Sequence, residues 1–550
     1  MKKKSLLILY LILLLAGSLR FYKLGNNPPA LTWDEAAWGY NAYSLGATAR
    51  DEFGRLLPLN YLESFGDFKP PVYAYLSILP VKIFGLNEFS TRFAAAFFGT
   101  LTVLLTYFLV KELFHNSQFA NRYSCLPAGT ALITALLLAI SPWHIMLSRA
   151  AFEANVATFF LVAGVTFFLM AINRRGWWLV LSALSFILSL QTFNTSRIVV
   201  PLLLLGLTVG CRKQLWKIRK WAVISGVLGI LLLVPLISFY LSPQARLRFK
   251  EVNIFSDPGI VTLANQEIAN DGNVWWSKII HNRRWGYARE YLRHYVDHFN
   301  PAFLFIKGDG NPKFSIQDVG ELYLWELPLL IIGALSLIKQ KKGYWWLIFY
   351  WLLIGIIPAA TARETPHALR IETTLPTWQI IIAVGVTAFL QYTKRYKRFV
   401  SYGLRVTGCG LILVNFVYFQ HNYWSHYPVQ YSGEWQYGYK EAIGYVRSVQ
   451  NDYNQIWFST GLGRPYIYFL YYLKYSPIDF LKEAVVKRDV FGFVEVESFG
   501  KYHFFRSKEE IKTSGKILSI EGAGNVFQEG ELLKTFYLLN GKEILKAYGI

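Results

Sequence analysis

Apolar runs of roughly 20 residues recur along the chain, each long enough to cross ~30 Å of hydrocarbon at about 1.5 Å per residue. They fall at Ser5 to Tyr22, Phe89 to Val110, Ala128 to Leu147, Ala154 to Ile172, Trp177 to Phe193, Ile198 to Gly210 and Trp221 to Tyr240. After a long polar stretch they resume at Leu322 to Ile338, Tyr344 to Ala359, Leu375 to Tyr392 and Phe399 to Phe419. The sequence therefore predicts a polytopic all-α membrane protein with about eleven transmembrane helices. At 53% hydrophobic residues and a mean hydropathy of +0.28, the composition fits no ordinary soluble enzyme.

The net charge of +21 could suggest nucleic acid as a partner, but its placement points to the membrane. Lys and Arg gather in short loops between apolar runs: Lys2 to Lys4, Arg174-Arg175, Arg212 to Lys220, Lys339 to Lys342 and Lys394 to Arg398. This is the positive-inside pattern. With the N-terminus in the cytoplasm, every cluster lands inside, while residues 23–87, 241–320 and the tail land outside. The basic head and the apolar stretch Ser5 to Gly17 resemble a signal peptide, yet no small-x-small site precedes Arg20. An uncleaved first helix is expected. Cys125, Cys211 and Cys409 fall in or beside cytoplasmic loops and helices, so no disulfide framework is expected.

From His421 onward the composition becomes that of a soluble protein, giving two expected domains, 1–420 in the membrane and 421–550 outside. Gly438 to Gln450 has helical spacing, and Gln455 to Ser459 reads as a strand. Glu531 to Ile550 reads as a hairpin about Asn540-Gly541, so a small α/β domain is expected. Gly461-Leu462-Gly463 lacks the third glycine of a dinucleotide fingerprint and reads as a loop.

Candidate chemistry concentrates between Leu31 and Gly99. Thr32 is a candidate N-cap, followed by Asp34 and Glu35 in the first turn of a helix, where its dipole favours carboxylates. A second short helix follows Pro70 to Phe84. Neighbouring helical residues point about 100° apart. Asp34 is therefore assigned the general base and Glu35 a supporting contact within the catalytic pair. Lys69 precedes Pro70-Pro71, which stiffen the backbone and present the ammonium to a lipid phosphate. Trp33, Tyr40, Asp67 and Tyr73 are the candidates to bind substrate, aromatic rings being suited to stack on a sugar face. In the outer loop Arg363 to Arg370, Arg370 stands at the mouth of the next helix and, with His367, is a candidate for donor phosphate. Glu290, His294 and His298 have i, i+4, i+8 spacing, but no fourth ligand lies nearby, so no metal is assigned.

Together the motifs resemble a known family. W-D-E-x-x-x-x-Y from Trp33, F-K-P-P-V-Y-A-Y-L from Phe68 and L-P-V-K-I-F-G-L-N-E-F-S-T-R-F-A-A-A-F-F-G from Leu79 follow in order. H-F-N-P-A-F-L-F-I-K-G-D from His298 and T-P-H-A-L-R from Thr365 join them. These look like the GT-C membrane glycosyltransferases of family 39, which include protein O-mannosyltransferases and the aminoarabinose transferase acting on lipid A. The resemblance implies a GT-C fold and an inverting transferase fed by a polyprenyl-phosphate-linked sugar, with a hydroxyl acceptor on lipid, glycan or protein. It implies that Asp34 is the catalytic carboxylate and that Lys69 contacts the lipid phosphate. In the aminoarabinose subgroup an Arg follows the acidic pair (D-E-T-R), where this chain has Ala37, so lipid A does not carry over as acceptor. Two other readings compete. In a metal-dependent oligosaccharide transferase, Asp34, Glu35 and Asp67 would hold a divalent ion; a lipid-linked glycan transporter would want charges along its spans. The expectation is a transferase without cofactor or metal, with its partners the lipid-linked sugar, the acceptor and membrane lipids, and no nucleic acid. The tail is expected to shape acceptor access or stabilise the outer face.

Overall fold

The computed structural model describes residues 3–115, 126–242, 253–341, 343–488, 494–511, 515–524 and 530–550. Cys125, Lys342 and residues 243–252 of the polar stretch that begins at Leu241 lie outside the described residues; Cys211 and Cys409 are free thiols. The chain divides into two compact units. One contains 1–19, 98–147 and 154–417, and the other contains 20–97, 148–153 and 418–550.

The first unit is helical. Every expected span is occupied by a helix, from Lys3–Phe21 through Glu88–Leu113 and Glu153–Asn173 to Arg398–His421. Among the described residues, four helices are long and apolar enough to cross a membrane by themselves. A fifth results if Gly129–Ile140 and Pro142–Ser148, bent by 58° at Pro142, form one span. The remaining apolar segments are shorter, such as Trp178–Leu190 and Trp345–Ile356, so eleven helical segments do not equal eleven full-length straight spans. Helices Glu326–Gln340 and Thr377–Thr393 pack backbone to backbone where Gly333 faces Ile381 and Gly385 faces Leu329. A methyl group at either glycine would overlap the opposing carbonyl. Small residues admit this kind of close approach where no hydrophobic effect drives helices together.

The second unit joins the first outer loop to the tail. The boundary near 420 is close to the unit border at Val417/Tyr418, but residues 20–97 group with the tail and not with the helices. A hairpin in the first loop pairs β1 (Leu62–Ser64) with β2 (Asp67–Lys69). The tail forms a seven-stranded sheet of β3 (Gln455–Ser459), β4 (Val485–Arg488), β5 (Val494–Phe499), β6 (Tyr502–Phe505), β7 (Ile517–Gly522), β8 (Glu531–Tyr537) and β9 (Glu543–Gly549). Their order is β4-β5-β6-β3-β7-β9-β8. Central β3 runs parallel to β6 and β7, and the hairpin β8–β9 turns at Gly541 (φ +82°), as expected from Asn540-Gly541. Alternation sends Ile456 and Phe458 of β3 into a core they share with Leu31, Ala36, Tyr40 and Phe65 of the first loop. Loop and tail thus contribute to one buried core.

Candidate active site

The segment Thr32-Trp33-Asp34-Glu35 closes a capping box on helix Trp33–Thr48. The Thr32 hydroxyl accepts from the Glu35 amide at 3.3 Å, and the Glu35 carboxylate accepts from the Thr32 amide at 3.0 Å. The helix start is thereby fixed, and the two acids part company. Glu35 is fully buried; its Oε1 accepts from Arg92 Nε at 2.8 Å and from the Ala151 amide at 2.9 Å. Arg92 also donates to the carbonyls of Leu24, Pro28 and Ala30, so the Glu35–Arg92 pair ties the loop together from inside. Asp34, one residue earlier, has a side chain 52% exposed and forms an ion pair with Lys69.

Lys69 ends β2, opposite Leu62, and its side chain is 10% exposed. The ammonium lies 5.3 Å from the Trp38 ring centroid and 5.5 Å from that of Phe65. Burial opposes its charge, but the carboxylates of Asp34, Asp67 and Glu153 outweigh burial and raise its pKa above the ordinary lysine value. Lys69 is therefore a firmly charged cation among three acids, of which Asp34 reaches solvent. Nearby Glu52 is buried, and burial together with Asp51 pushes its carboxyl well above the ordinary glutamate range.

Arg92 and Glu153 escaped the reading of the sequence. Arg92 falls inside the expected span Phe89 to Val110. Glu153 opens helix Glu153–Asn173, where an acid reads as an ordinary helix-start residue. A stronger signal for both was their charge at the rim of an apolar span, where an ionised group needs a partner. Arg149 is similar: it donates to Tyr423 Oη at 2.9 Å and to the carbonyls of Tyr22 and Asn27 at 2.8 Å each, lying over the Trp424 ring.

The proposed substrate-binding residues divide. Trp33 and Asp67 are half-buried at the same centre. Tyr40 and Tyr73 are fully buried: Tyr40 Oη donates to the Tyr475 carbonyl at 3.1 Å and Tyr73 Oη to the Thr91 carbonyl at 3.0 Å. Both side chains are engaged in packing and in these backbone hydrogen bonds. They sit on the inward face of their helices.

His367 and Arg370 belong to the helical unit, apart from the unit of Asp34 and Lys69. His367 is mostly buried, its Nδ1 3.7 Å from Asp309 and its ring 5.0 Å from that of Phe314. Burial, with Arg370 adding repulsion, holds its pKa well below the usual imidazole range. Burial thus disfavours the imidazolium form that a contact with a phosphate would draw on. Arg370 is half-buried. Asp309 accepts from the amides of Asn311 and Ala368, and burial raises it to about 6. His294 and His298 direct their Nδ1 atoms to the carbonyls of Ala362 and His294, both at 2.8 Å. Burial lowers His298 to about 4. Among the described residues no group of three or more His, Cys, Asp or Glu has metal-holding geometry.

Residues 8–242 match the family model of dolichyl-phosphate-mannose-protein mannosyltransferases. An uncharacterised protein of Aquifex aeolicus (strain VF5) is 30% identical over 240 residues, covering 42% of this chain and 42% of that protein. The matched stretch thus spans less than half the length of this curated relative. Two crystal structures of ArnT from Cupriavidus metallidurans share the fold. The apo structure has a TM-score of 0.53 at 13% identity, covering 98% of this chain and 97% of that one. The structure bound to undecaprenyl phosphate has a TM-score of 0.52 at 12% identity, covering 99% and 97%. The chain thus shares its fold with the ArnT structures, and its residues 8–242 match the sequence pattern of the protein mannosyltransferase model.

Proposed function

We propose that the chain is an inverting glycosyltransferase, moving a sugar from a polyprenyl-phosphate donor to a hydroxyl on the outer face of the membrane. The observation that carries this reading is the Asp34–Lys69 pair, a solvent-reaching carboxylate bridged to a buried, firmly charged ammonium. In the resting protein each neutralises the other. An arriving donor phosphate offers Lys69 a second anionic partner, and the carboxylate of Asp34 is then released to act as base.

The acceptor hydroxyl attacks the anomeric carbon from the side opposite the phosphate. The new C–O bond forms as the bond to the phosphate oxygen breaks, and Asp34 takes the hydroxyl proton. Polyprenyl phosphate leaves as an anion stabilised by Lys69, and the anomeric configuration inverts. Atoms and charge balance without a metal. The undecaprenyl phosphate bound by ArnT and the lipid-phosphate sugar named by the family model support this donor class. The transferred sugar is a hexose or pentose, and the acceptor hydroxyl belongs to a lipid, glycan or protein. The N-terminus lies in the cytoplasm and the first loop and tail lie outside, as the distribution of Lys and Arg requires. Arg370 is an independent candidate cation, to be tested in its own unit.

The test is Asp34→Asn in the full chain, reconstituted with a polyprenyl-phosphate sugar. Transfer should fall ~10²–10⁴-fold, the usual worth of a positioned base, with donor binding retained. Near-normal transfer by a well-folded variant would remove Asp34 from the mechanism.

A further inference from the structure

Two consecutive residues of the tail contact neighbours of the Asp34–Lys69 pair: Gly463 meets Trp33, and Arg464 meets Phe65. Gly463 lies in the loop between β3 and helix Pro465–Tyr472, at φ +127°, where L side chains rarely sit. A Cβ there would come within 2.8 Å of the Trp33 indole, so only glycine lets the loop backbone lie this close on the ring. Trp33 is the residue before Asp34. The tail therefore buttresses the helix start that carries the carboxylate.

Arg464 reaches Phe65, beside Lys69. Its guanidinium lies 4.4 Å from the Phe65 ring centroid, and its Nη1 donates to the Phe65 carbonyl at 3.2 Å. Phe65 and Gly66 form the two-residue turn between β1 and β2, with φ of +62° and +81°. A bulky residue in the left-handed region is strained and persists only where its surroundings hold it. The tail supplies that hold. Besides Arg464, the Val494 amide donates to the same carbonyl at 3.2 Å, and Tyr466 meets the ring edge-on at 5.8 Å. Phe65 in turn lies 5.5 Å from the Lys69 ammonium.

We propose that Gly463-Arg464 is a positioning clamp, through which the tail sets the relative placement of Asp34 and Lys69 and so becomes a working part of the transfer centre. The clamp rests on the reading of Asp34 as the catalytic base. Its residues touch no reacting atom; they act through Trp33 and Phe65. A displacement of about 1 Å at such a centre can cost on the order of 10²-fold in rate.

The experiment uses the full chain in nanodiscs with a polyprenyl-phosphate sugar as donor. Arg464→Ala should lower kcat by ~10–100-fold while donor KM and the thermal midpoint stay near wild type. Arg464→Lys keeps a cation over Phe65 without the planar fork, and should recover part of the loss. Gly463→Ala should also lower kcat. Combined with Trp33→Leu, which removes the ring the new methyl would strike, it should cost less than the two single losses summed. If Arg464→Ala fails to fold, Arg464→Lys alone decides: reduced kcat at unchanged midpoint supports the clamp, and unchanged kcat overturns it. A kcat within twofold of wild type in Arg464→Ala, or a kcat that falls only in step with the thermal midpoint, would also overturn it. Asp34→Asn separates the two claims. If that variant is active, the base assignment fails and the clamp with it; if it is inert while Arg464→Ala is normal, the clamp alone fails.

Discussion

The first outer loop and the loop that ends at Arg370 each set a carboxylate beside a basic side chain, and the two settings behave in opposite ways. Asp34 reaches solvent, and its partner Lys69 stays charged because acids surround it. Asp309 is buried, spends its oxygens on the amides of Asn311 and Ala368, and faces an imidazole whose pKa burial lowers well below the usual range. Residue types alone do not separate these sites. Solvent access does: an exposed pair can exchange a partner for an incoming phosphate, and a buried one acts as a joint.

The largest effect expected is on folding. Glu35→Ala leaves Arg92 buried without its carboxylate and should cost about 3–5 kcal/mol, whereas Asp34→Asn should cost at most about 1 kcal/mol. Thermal unfolding of the two variants measures the contrast between adjacent acids, and equal losses would erase it. Next, Lys69→Ala should lower kcat/KM by at least ~100-fold and His367→Ala by less than ~10-fold, because only the first removes a charge from the leaving phosphate. Equal losses would mean that the buried joint is chemically engaged.

Acid titration sharpens the same comparison in the helical unit. His298 has a folded pKa of about 4, below its ordinary 6.5, so its contribution to stability is lost as pH falls from 6.5 towards 4. Asp309 has a folded pKa of about 6, above its ordinary 3.8, so stability is gained as pH falls from 6 towards 3.8. The two offset. His298→Gln should make the thermal midpoint rise from pH 7 to pH 5 relative to wild type, and Asp309→Asn should make it fall. Shifts of the same sign in both would refute the assignment.

The smallest effect concerns metal. Transfer should change less than about twofold on treatment with EDTA, since Lys69 already meets the phosphate charge. Loss with recovery on Mg²⁺ or Mn²⁺ would revive a site built from Asp34 and Asp67; Glu35 is already committed to Arg92.

Much of the scaffold was legible because hydropathy and capping are local. The eleven apolar runs became helices, and Thr32-Trp33-Asp34-Glu35 made the helix start its spacing implied. The core shared by loop and tail was not legible, since it depends on contacts such as Tyr40 with Tyr475, 435 positions apart. The same long-range packing buries Tyr40 and Tyr73 and disfavours the charged form of His367. It also changes what a truncation near Gln420 would measure. Removing the tail strips half of a common core, so substitutions at Gly463 and Arg464 probe its role more cleanly than deletion does.

The most direct test of the account is a transfer assay with the purified full chain in sealed vesicles, using a polyprenyl-phosphate sugar of defined anomeric configuration and an acceptor-containing envelope extract. The account predicts one polyprenyl phosphate released for each new glycosidic bond, with the anomeric configuration inverted by NMR. Sugar carried across the bilayer with no new bond, or a product of retained configuration, would contradict it.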